Sequence, residues 1–357
     1  MTPEEIPSLR LYHSGLSHSP FTTAAEAVAH SGAVQAQDFS AAIWSLGLRI
    51  RDATAATIED AYNDGKILRV HVLRPTWHFI LPEDLRWMTS LTAPGVKSAV
   101  AASNRKLGLD TTLFSKSNAV IEKALEGHHY LTRPDLKSIL ADIGIMTDVQ
   151  RLAHIIMQAE FEGLICSGTM QGRQHTYALV DERVRESRAL TREQSLAELA
   201  RRYFGSHGPA QIRDFSWWSG LSSRDAGASL DSIKEEMERT LIDGKTYFSL
   251  PDDDMVIPEP PVALLLSIYD EYAIAYADRS AISDSRDIER MIVQGNAMTA
   301  VIVLHGKVAG TWRRIMQKDS IEISLNPFRE LTDEEQEAVE SEVQRYGRFF
   351  GRKAEVV

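Results

Sequence analysis

One order of predicted elements occurs three times in the first 250 residues, and this repetition limits the fold more than any single motif does. Each copy begins with short amphipathic helices and ends with two short strands joined by a turn. In the first copy, Asp38 is a good N-cap for the last helix. Its predicted helices and strands lie at residues 6–14, 23–30, 38–48, 67–73 and 77–81.

The second and third copies follow the same order. In the second, Asp148 caps a helix, and strands flank the turn at residues 168–172. In the third, Ser222 or Ser223 caps the last helix, and residues 243–245 form the turn between the strands. Helix, helix, helix, hairpin is the winged-helix pattern, in which the last helix can enter a DNA major groove.

A different region follows the predicted linker at residues 251–254. Short strands with glycine turns indicate a small sheet or barrel, and a capping box at Thr332 opens a closing helix. The sequence therefore predicts an α+β fold of three tandem winged-helix domains followed by a small C-terminal β-barrel. The predicted domains are residues 1–120, which include a helical extension, 121–190, 191–250 and the barrel with its terminal helix at 251–357.

The charge distribution is compatible with a nucleic-acid partner despite a net charge of −11. Residues 1–250 hold 27 Lys and Arg against 30 Asp and Glu, a balance of −3. Residues 251–357 hold 12 against 20, a balance of −8. Most of the acidity belongs to the last third of the chain, so the first 250 residues can carry a basic face.

Composition excludes several classes of protein. No apolar run approaches the ~18 residues of a membrane span, and the N-terminus lacks the order of a signal peptide, so we expect a cytoplasmic location. Cys166 is the only cysteine, which excludes an internal disulfide and a cysteine-based zinc cluster. The eleven histidines show no His-Glu-x-x-His pattern, so we expect no metal site, and no organic cofactor is implied either.

Two glutamines, Gln35 and Gln37, lie in the predicted turn before the last helix of the first copy. Each side chain has two donors and an acceptor that need partners when buried. On extended backbone both amides point the same way and can reach one small ligand or one water. Alternatively, they only hydrogen-bond the backbone of a tight turn. Asp38 suits a helix N-cap better than a catalytic role.

Six motifs are spread from end to end of the chain. They are Gln35-Ala36-Gln37-Asp38, Leu73-Arg74-Pro75-Thr76-Trp77-His78, His207-Gly208-Pro209-Ala210, Asp214-Phe215-Ser216-Trp217-Trp218-Ser219-Gly220-Leu221, Tyr269-Asp270-Glu271-Tyr272 and Gly310-Thr311-Trp312-Arg313-Arg314. Together they resemble the bacterial winged-helix DNA glycosylases of the AlkZ/YcaQ type. The resemblance implies three tandem winged helices and a C-terminal β-barrel, arranged as a C-shaped clamp on DNA.

The resemblance also implies that Gln35 and Gln37 form an active-site Gln-x-Gln motif, which places the water that attacks the sugar C1′. An amide cannot act as a general base near neutral pH, but it can orient a water. That suffices if the base is already a good leaving group, as a positively charged N7-alkylated guanine is. The adjacent Asp270 and Glu271 are implied to be structural rather than a carboxylate dyad.

Candidate DNA contacts come from the first wing, the second recognition helix, the second wing and a barrel hairpin. They are Arg69, His71, Arg74, Gln150, Arg151, Arg173, His305 and Lys307. Cationic and amide side chains suit phosphates and base edges, but the same residues are also typical of a solvated surface. Trp77 is expected to pack in the wing core. Trp217 and Trp218 are adjacent and cannot both be buried on one helix face.

These observations favour a DNA glycosylase that excises N7-alkylated purines, including purines in interstrand crosslinks. Its expected partner is damaged double-stranded DNA, with no membrane and no obligate protein partner. The alternative is a non-catalytic winged-helix DNA-binding or regulatory protein, and a protein-interaction scaffold is a third. Three asymmetric winged helices do not suit a two-fold operator, which favours the enzyme, whereas the acidic net charge opposes DNA contact.

Overall fold

A computed structural model describes residues 1–251, 259–294 and 297–357. Within these ranges, three consecutive sets of helices and short strands occupy the first 250 residues, and the largest sheet lies in the remainder. The predicted linker residues 252–254 lie outside the described ranges. In the described part of the chain, no helix is long and apolar enough to cross a membrane.

The first set of elements surrounds the three-stranded sheet that contains Gln35. Its members are α1 (Glu5–His13), α2 (Ala24–Ser31), β1 (Val34–Gln35), α3 (Phe39–Arg49), α4 (Ala55–Asn63), β2 (Leu68–His71) and β3 (Trp77–Ile80). The sheet order is β1-β3-β2, and Gln35 lies opposite His78. Asp38 caps α3 as predicted, because its Oδ1 accepts from the Ala41 N–H at 2.9 Å.

The glutamine segment differs from its prediction in two ways. Gln35 belongs to a strand rather than a turn, and α3 is not the last helix, because α4 stands between it and the hairpin. Helix α4 is absent from the prediction, although its two buried side chains, Ile58 and Tyr62, are four residues apart as on one face of a helix. A two-residue strand such as β1 has no periodicity to detect.

The second set begins with a long connecting helix that contains Pro94. Its members, with that helix first, are α5 (Leu85–Lys106), α6 (Thr111–Leu125), β4 (Leu131–Thr132), α7 (Arg133–Asp142), α8 (Val149–Phe161), β5 (Ile165–Ser167), β6 (Thr176–Leu179) and α9 (Val180–Arg183). Asp148 caps α8 as predicted, and the sheet order is β4-β6-β5.

The third set repeats the order of the second from α6 onward. Its members are α10 (Arg192–His207), α11 (Ile212–Ser219), α12 (Ser223–Ser232), β7 (Glu238–Ile242) and β8 (Lys245–Ser249). An isolated bridge between Ala210 and Phe248 stands where the first strand of the other two sets lies. Asp243 and Gly244 both have positive φ, 49° and 74°, as a two-residue hairpin turn requires.

The C-terminal region contains an open five-stranded sheet with the order β15-β14-β13-β12-β9. Its elements are β9 (Ala263–Leu266), α13 (Glu271–Ile274), α14 (Ser285–Met291), β10 (Ile292–Gln294), β11 (Ala297–Met298), β12 (Ala300–Leu304), β13 (Lys307–Met316), β14 (Ser320–Pro327), α15 (Asp333–Phe349) and β15 (Lys353–Val356). The predicted closed barrel is therefore a half-barrel in the described residues, since its edge strands β9 and β15 are not paired with each other. The predicted capping box of α15 is present, with Thr332 and Glu335 bonded reciprocally.

The first set of elements and the C-terminal sheet share one hydrophobic core. Trp44 of α3 lies 4.9 Å from Tyr346 of α15, measured between ring centroids, and its Nε1 donates to the Leu265 carbonyl at 2.7 Å. A second core joins β2 and β3 to α10 and α11. Strand β1 is therefore held between two later parts of the chain, which determines what surrounds Gln35.

Candidate functional site

Gln35 lies at the buried end of the candidate site, where three separate segments meet. Its side-chain Oε1 accepts from Arg74 Nη2 at 2.8 Å. Its main-chain N–H donates to Glu271 Oε1 at 2.7 Å. Only about a tenth of Gln35 is exposed, 9%, so the position of its amide is determined by the protein rather than by solvent.

Gln37 lies at the exposed end of the site. Its Oε1 accepts from the main-chain N–H of Trp77 at 3.3 Å, and its main-chain carbonyl accepts from Arg69 Nη2 at 3.3 Å. A guanidinium and a main-chain N–H are donors only, so each glutamine must turn its oxygen toward its partner. In the described structure neither Nε2 group has a protein partner, and both remain available to a ligand.

The two carboxylates of the Asp270-Glu271 pair are buried and directed to different partners. Glu271 Oε2 accepts from Trp218 Nε1 at 3.0 Å and lies 3.7 Å from His207 Nε2. Asp270 forms a two-bond ion pair with Arg49, both bonds being 2.9 Å. Burial raises the pKa of Asp270, but Arg49 and Ser45 outweigh it and hold the pKa below its ordinary value. Both groups therefore serve internal contacts.

His78 lies opposite Gln35 in the sheet and is fully buried. Its Nδ1 is 3.0 Å from the Thr76 carbonyl, and its Nε2 is a buried atom without a partner in the described residues. Burial, followed by the positive charge of Arg74, lowers the pKa of His78 well below its ordinary value. The ring is therefore neutral at physiological pH and is not a phosphate-binding cation.

The cationic side chains of β2 and of the turn between β2 and β3 face inward. Arg69 is buried, donates to the Ala36 carbonyl at 2.8 Å and lies 4.3 Å from the centre of the Trp77 ring. His71 is buried and its Nδ1 is bonded to Glu160. Arg74 is half-buried and bonded to Gln35. Trp77 was expected in a hydrophobic core, but it is only half-buried. Arg69 covers one part of its ring.

The other candidate DNA contacts are divided between exposed and engaged side chains. Gln150 at the start of α8 and Arg173 between β5 and β6 are exposed. Arg151 is engaged, because its Nε donates to the Met146 carbonyl at 3.0 Å and its Nη1 donates to Leu107. Lys307 is exposed, and His305 lies in the same turn, 4.0 Å from Glu335.

The turn at His305 and Gly306 is docked against the protein rather than projecting from it. The Gly306 carbonyl accepts from Tyr272 Oη at 2.6 Å, and a Cβ at Gly306 would lie 3.0 Å from Pro7 of α1. The hairpin between β13 and β14 is the more exposed of the two. Its outer half presents the exposed cationic and apolar side chains Arg313, Ile315, Met316 and Lys318.

Like the hairpin between β13 and β14, Trp217 adjoins or suits the candidate functional surface although the sequence did not single it out. Trp218 is completely buried, whereas 40% of Trp217 is exposed, so the two rings separate as adjacent helical positions require. Trp217 Nε1 donates to the Ile274 carbonyl at 3.0 Å, which holds the ring in place. The Trp217 carbonyl is 3.4 Å from Arg74 Nη1, so this tryptophan adjoins the glutamine site.

Metal-ligating groups do not converge in the described residues. No set of three or more His, Cys, Asp or Glu side chains is placed to hold an ion there. Cys166 is buried, and burial raises the pKa of its thiol to about 12. A thiol with so high a pKa is protonated at neutral pH and is a poor nucleophile.

Comparisons with known proteins agree on one family. The sequence model of the AlkZ-like DNA glycosylases matches residues 28–349. The chain is 21% identical over 343 residues to an interstrand DNA cross-link repair glycosylase from Streptomyces sahachiroi, covering 92% of this chain and 91% of that protein. The solved structure of the Streptomyces sahachiroi DNA glycosylase AlkZ superposes with a TM-score of 0.81 at 18% identity, covering both chains completely. The chain therefore belongs to the AlkZ-like DNA glycosylase family, whose enzymes hydrolyse N-glycosidic bonds.

Proposed function

We propose that this glycosylase excises N7-alkylated purines from double-stranded DNA and that Gln35 and Gln37 organise the hydrolysis. The observation that carries the proposal is the placement of the two amides. Their oxygens are held by Arg74 and by the main chain of Trp77, while their Nε2 groups have no protein partner in the described residues. This leaves four N–H donors for a substrate at one edge of the first sheet.

The chemistry of the pair limits the substrate. Neither amide can take a proton from water, so the site supplies orientation rather than strong base catalysis. Hydrolysis breaks the bond between C1′ and the base nitrogen, and the bonding electrons leave with the base. A purine alkylated at N7 carries a positive charge and departs as a neutral molecule, whereas the attacking water supplies the new C1′–O bond and releases its proton to solvent.

Interstrand crosslinks are included in this proposal for a physical reason. A crosslinked purine remains tied to the opposite strand and cannot rotate fully out of the duplex. Gln35 lies on the edge strand of the first sheet, and the adjoining Gln37 is exposed, so the pair can be approached from the surface. The related Streptomyces sahachiroi protein is named an interstrand DNA cross-link repair glycosylase, which supports the same substrate for this chain.

The DNA-binding arrangement remains part of the proposal. Three sets with the order helix, strand or bridge, helix, helix, hairpin support three tandem winged helices, which would form a C-shaped clamp with the half-barrel. Gln150, Arg173 and Lys307 are exposed and suit DNA contacts. The hairpin between β13 and β14 suits the minor groove better than the docked turn at His305 does.

Excision assays with defined lesions test the proposal. One duplex carries N7-methylguanine and another carries an N7-linked interstrand crosslink, and abasic-site formation is measured under single-turnover conditions. We expect Gln35→Ala and Gln37→Ala each to lower the rate by about 10²-fold, with DNA affinity retained. Gln344→Ala is the control, because Gln344 of α15, whose Nε2 donates to the Ala354 carbonyl of β15 at 3.1 Å, is a hydrogen-bonded glutamine in the C-terminal region. Absence of excision by the wild-type protein on both duplexes would reject the proposal.

A non-catalytic DNA-binding protein is the second candidate. The buried position of Gln35 favours it, since a side chain bonded to Arg74 can serve folding alone. In that case Gln35→Ala lowers the thermal midpoint, wild-type protein releases no base, and DNA affinity is unaffected by the lesion.

A further inference from the structure

We propose that Arg74 is a positioning residue for excision, which fixes the amide of Gln35 so that only Nε2 faces the substrate. This inference rests on the proposed role of the glutamine pair. It replaces the expectation that Arg74 contacts a DNA phosphate. It also makes the two glutamines unequal, with Gln35 a fixed donor and Gln37 the adjustable partner of the water.

The loop that carries Arg74 is packed closely against its neighbours. Leu73 has a positive φ of 62°, and its N–H donates to Thr92 Oγ1 at 3.1 Å. The Leu73 carbonyl lies against Gly220 at the end of α11, where a Cβ would approach within 2.2 Å. Gly220 itself has a φ of 69°, which glycine adopts without strain. Close packing of these two main-chain segments therefore sets the origin of the Arg74 side chain.

The guanidinium of Arg74 is directed by three acceptors. Nη1 lies 2.7 Å from the Trp218 carbonyl and 3.4 Å from the Trp217 carbonyl, and Nη2 lies 2.8 Å from Gln35 Oε1. The carbonyls at the end of α11 carry the negative end of the helix dipole and favour a cation there. Arg74 therefore connects the glutamine to α11, and its planar fork leaves little freedom in the direction of the bond to Gln35.

A charged donor on Oε1 changes the amide as well as orienting it. It draws electron density toward the oxygen, which weakens that oxygen as an acceptor and strengthens the Nε2 hydrogens as donors. Burial lowers the pKa of Arg74 and Glu271 opposes this shift, but an arginine starts high enough to stay protonated. Gln35 is therefore suited to bind an oxygen of the sugar or phosphate of the target nucleotide.

A phosphate contact by Arg74 conflicts with these bonds. The guanidinium is half-buried, and a phosphate would have to replace the two carbonyls or Gln35 as its partner. Gln37 provides the contrast, because one 3.3 Å bond holds its exposed amide. That amide can turn as the water and the sugar approach, whereas the Gln35 amide cannot.

A double-mutant cycle tests the proposal. Arg74→Ala and Gln35→Ala are each expected to lower the single-turnover excision rate by about 10²-fold, and the double variant is expected to fall by about the same factor, because the two residues act as one unit. Gln35→Glu keeps an acceptor for Arg74 and removes the donors, so it is expected to lose as much rate as Gln35→Ala. A double variant slower by about 10⁴-fold, or an active Gln35→Glu, overturns the inference.

The salt dependence of DNA binding separates positioning from phosphate contact. A positioning residue leaves the slope of log Kd against log salt unchanged, whereas a phosphate contact reduces it by about one unit. Arg183→Ala is the matched control, since Arg183 also donates to two main-chain carbonyls, those of Tyr62 and Asn63. It is expected to lower stability while retaining the excision rate. A slope reduced by one unit in Arg74→Ala contradicts the inference.

A measurement that does not depend on catalysis allows the positioning role of Arg74 to be tested separately from the proposed function. The side-chain amide resonance of Gln35, assigned in a ¹⁵N spectrum by its loss in Gln35→Ala, is expected to shift when Arg74 is replaced by alanine. An unmoved resonance rejects the positioning role even if the enzyme is active. A moved resonance in a protein that excises nothing supports the contact and rejects the proposed function alone.

Discussion

The main-chain N–H of Gln35 donates to Glu271 Oε1 at 2.7 Å, joining two buried residues that are 236 positions apart. Strand β1 is an edge strand, so one side of its backbone has no neighbouring strand to bond. The carboxylate of Glu271 supplies the missing acceptor, and it also accepts from Trp218 Nε1. One side chain thereby links the strand of the glutamine site, α11 and the start of α13.

Replacement of Glu271 tests this link. Glu271→Ala leaves the N–H groups of Gln35 and Trp218 buried without their acceptor, and we expect it to lower the free energy of unfolding by about 2–4 kcal/mol. Glu271→Gln retains one acceptor oxygen and should cost less. Urea denaturation followed by circular dichroism measures both. Equal stability of Glu271→Ala and wild type would contradict the link.

The neighbouring tryptophans should respond in opposite ways. Trp218→Ala removes a fully buried ring, and we expect it to cost about 3–5 kcal/mol of stability. Trp217→Ala removes a ring that is 40% exposed and should cost much less stability but weaken binding to lesion-containing DNA. Trp217→Phe retains an aromatic surface and serves as the control. Unchanged lesion binding in Trp217→Ala would show that this ring serves only the contact with Ile274.

Buried histidines predict a loss of stability in mild acid. Burial lowers the pKa of His175 to about 4 and lowers that of His78 well below its ordinary value. The unfolded chain binds these protons near pH 6.5, so stability is full above that pH and falls as the pH drops toward 4. Urea unfolding between pH 7.5 and 4.5 measures the decline. His175→Gln should make it shallower, and an identical profile in that variant would exclude His175 as a source.

The hairpin between β13 and β14 should contribute to DNA affinity through its exposed cations. We expect Arg313→Ala and Lys318→Ala each to reduce the salt slope of DNA binding by up to about one unit, because an exposed cation at a phosphate releases counterions. Arg69→Ala is the contrasting variant, because Arg69 is buried against Ala36 and Trp77. It should lower stability and leave the slope unchanged. If the salt slope of DNA binding fell only in Arg69→Ala, Arg69 rather than the hairpin cations would be the phosphate contact.

Much of the local structure follows from the sequence. Asp38, Asp148 and Thr332 cap the helices that they were expected to cap, because capping depends on a side chain and backbone within four residues. The hairpin turns at Asp243-Gly244 and His305-Gly306 also follow from local residue preferences. Helix α4 and strand β1 were not predicted: α4 places only Ile58 and Tyr62 in the core, and β1 is two residues long.

Whether the charged side chains of the first set face solvent or the protein interior depends on the tertiary structure. Arg69, His71 and Arg74 have the composition of a DNA-binding wing, but each is engaged with a partner from elsewhere in the chain: Ala36, Glu160 and Gln35. Residue type alone does not distinguish a cationic side chain that binds a DNA phosphate from one that donates to a buried main-chain carbonyl. That distinction depends on which segments pack against the wing.

The sequence by itself determined the family motifs, the repeated order of helices and hairpins apart from α4 and β1, and the chemical limit of two amides that can orient a water but cannot deprotonate it. The tertiary structure decided which atoms of those amides are available. Trp77 bonds Gln37 within the first sheet, whereas the bonds of Arg74 and Glu271 to Gln35 also depend on how α11 and α13 pack against that sheet. Hydrogen-bond direction depends on the relative positions of distant segments, and these are set by the shared cores rather than by local preference.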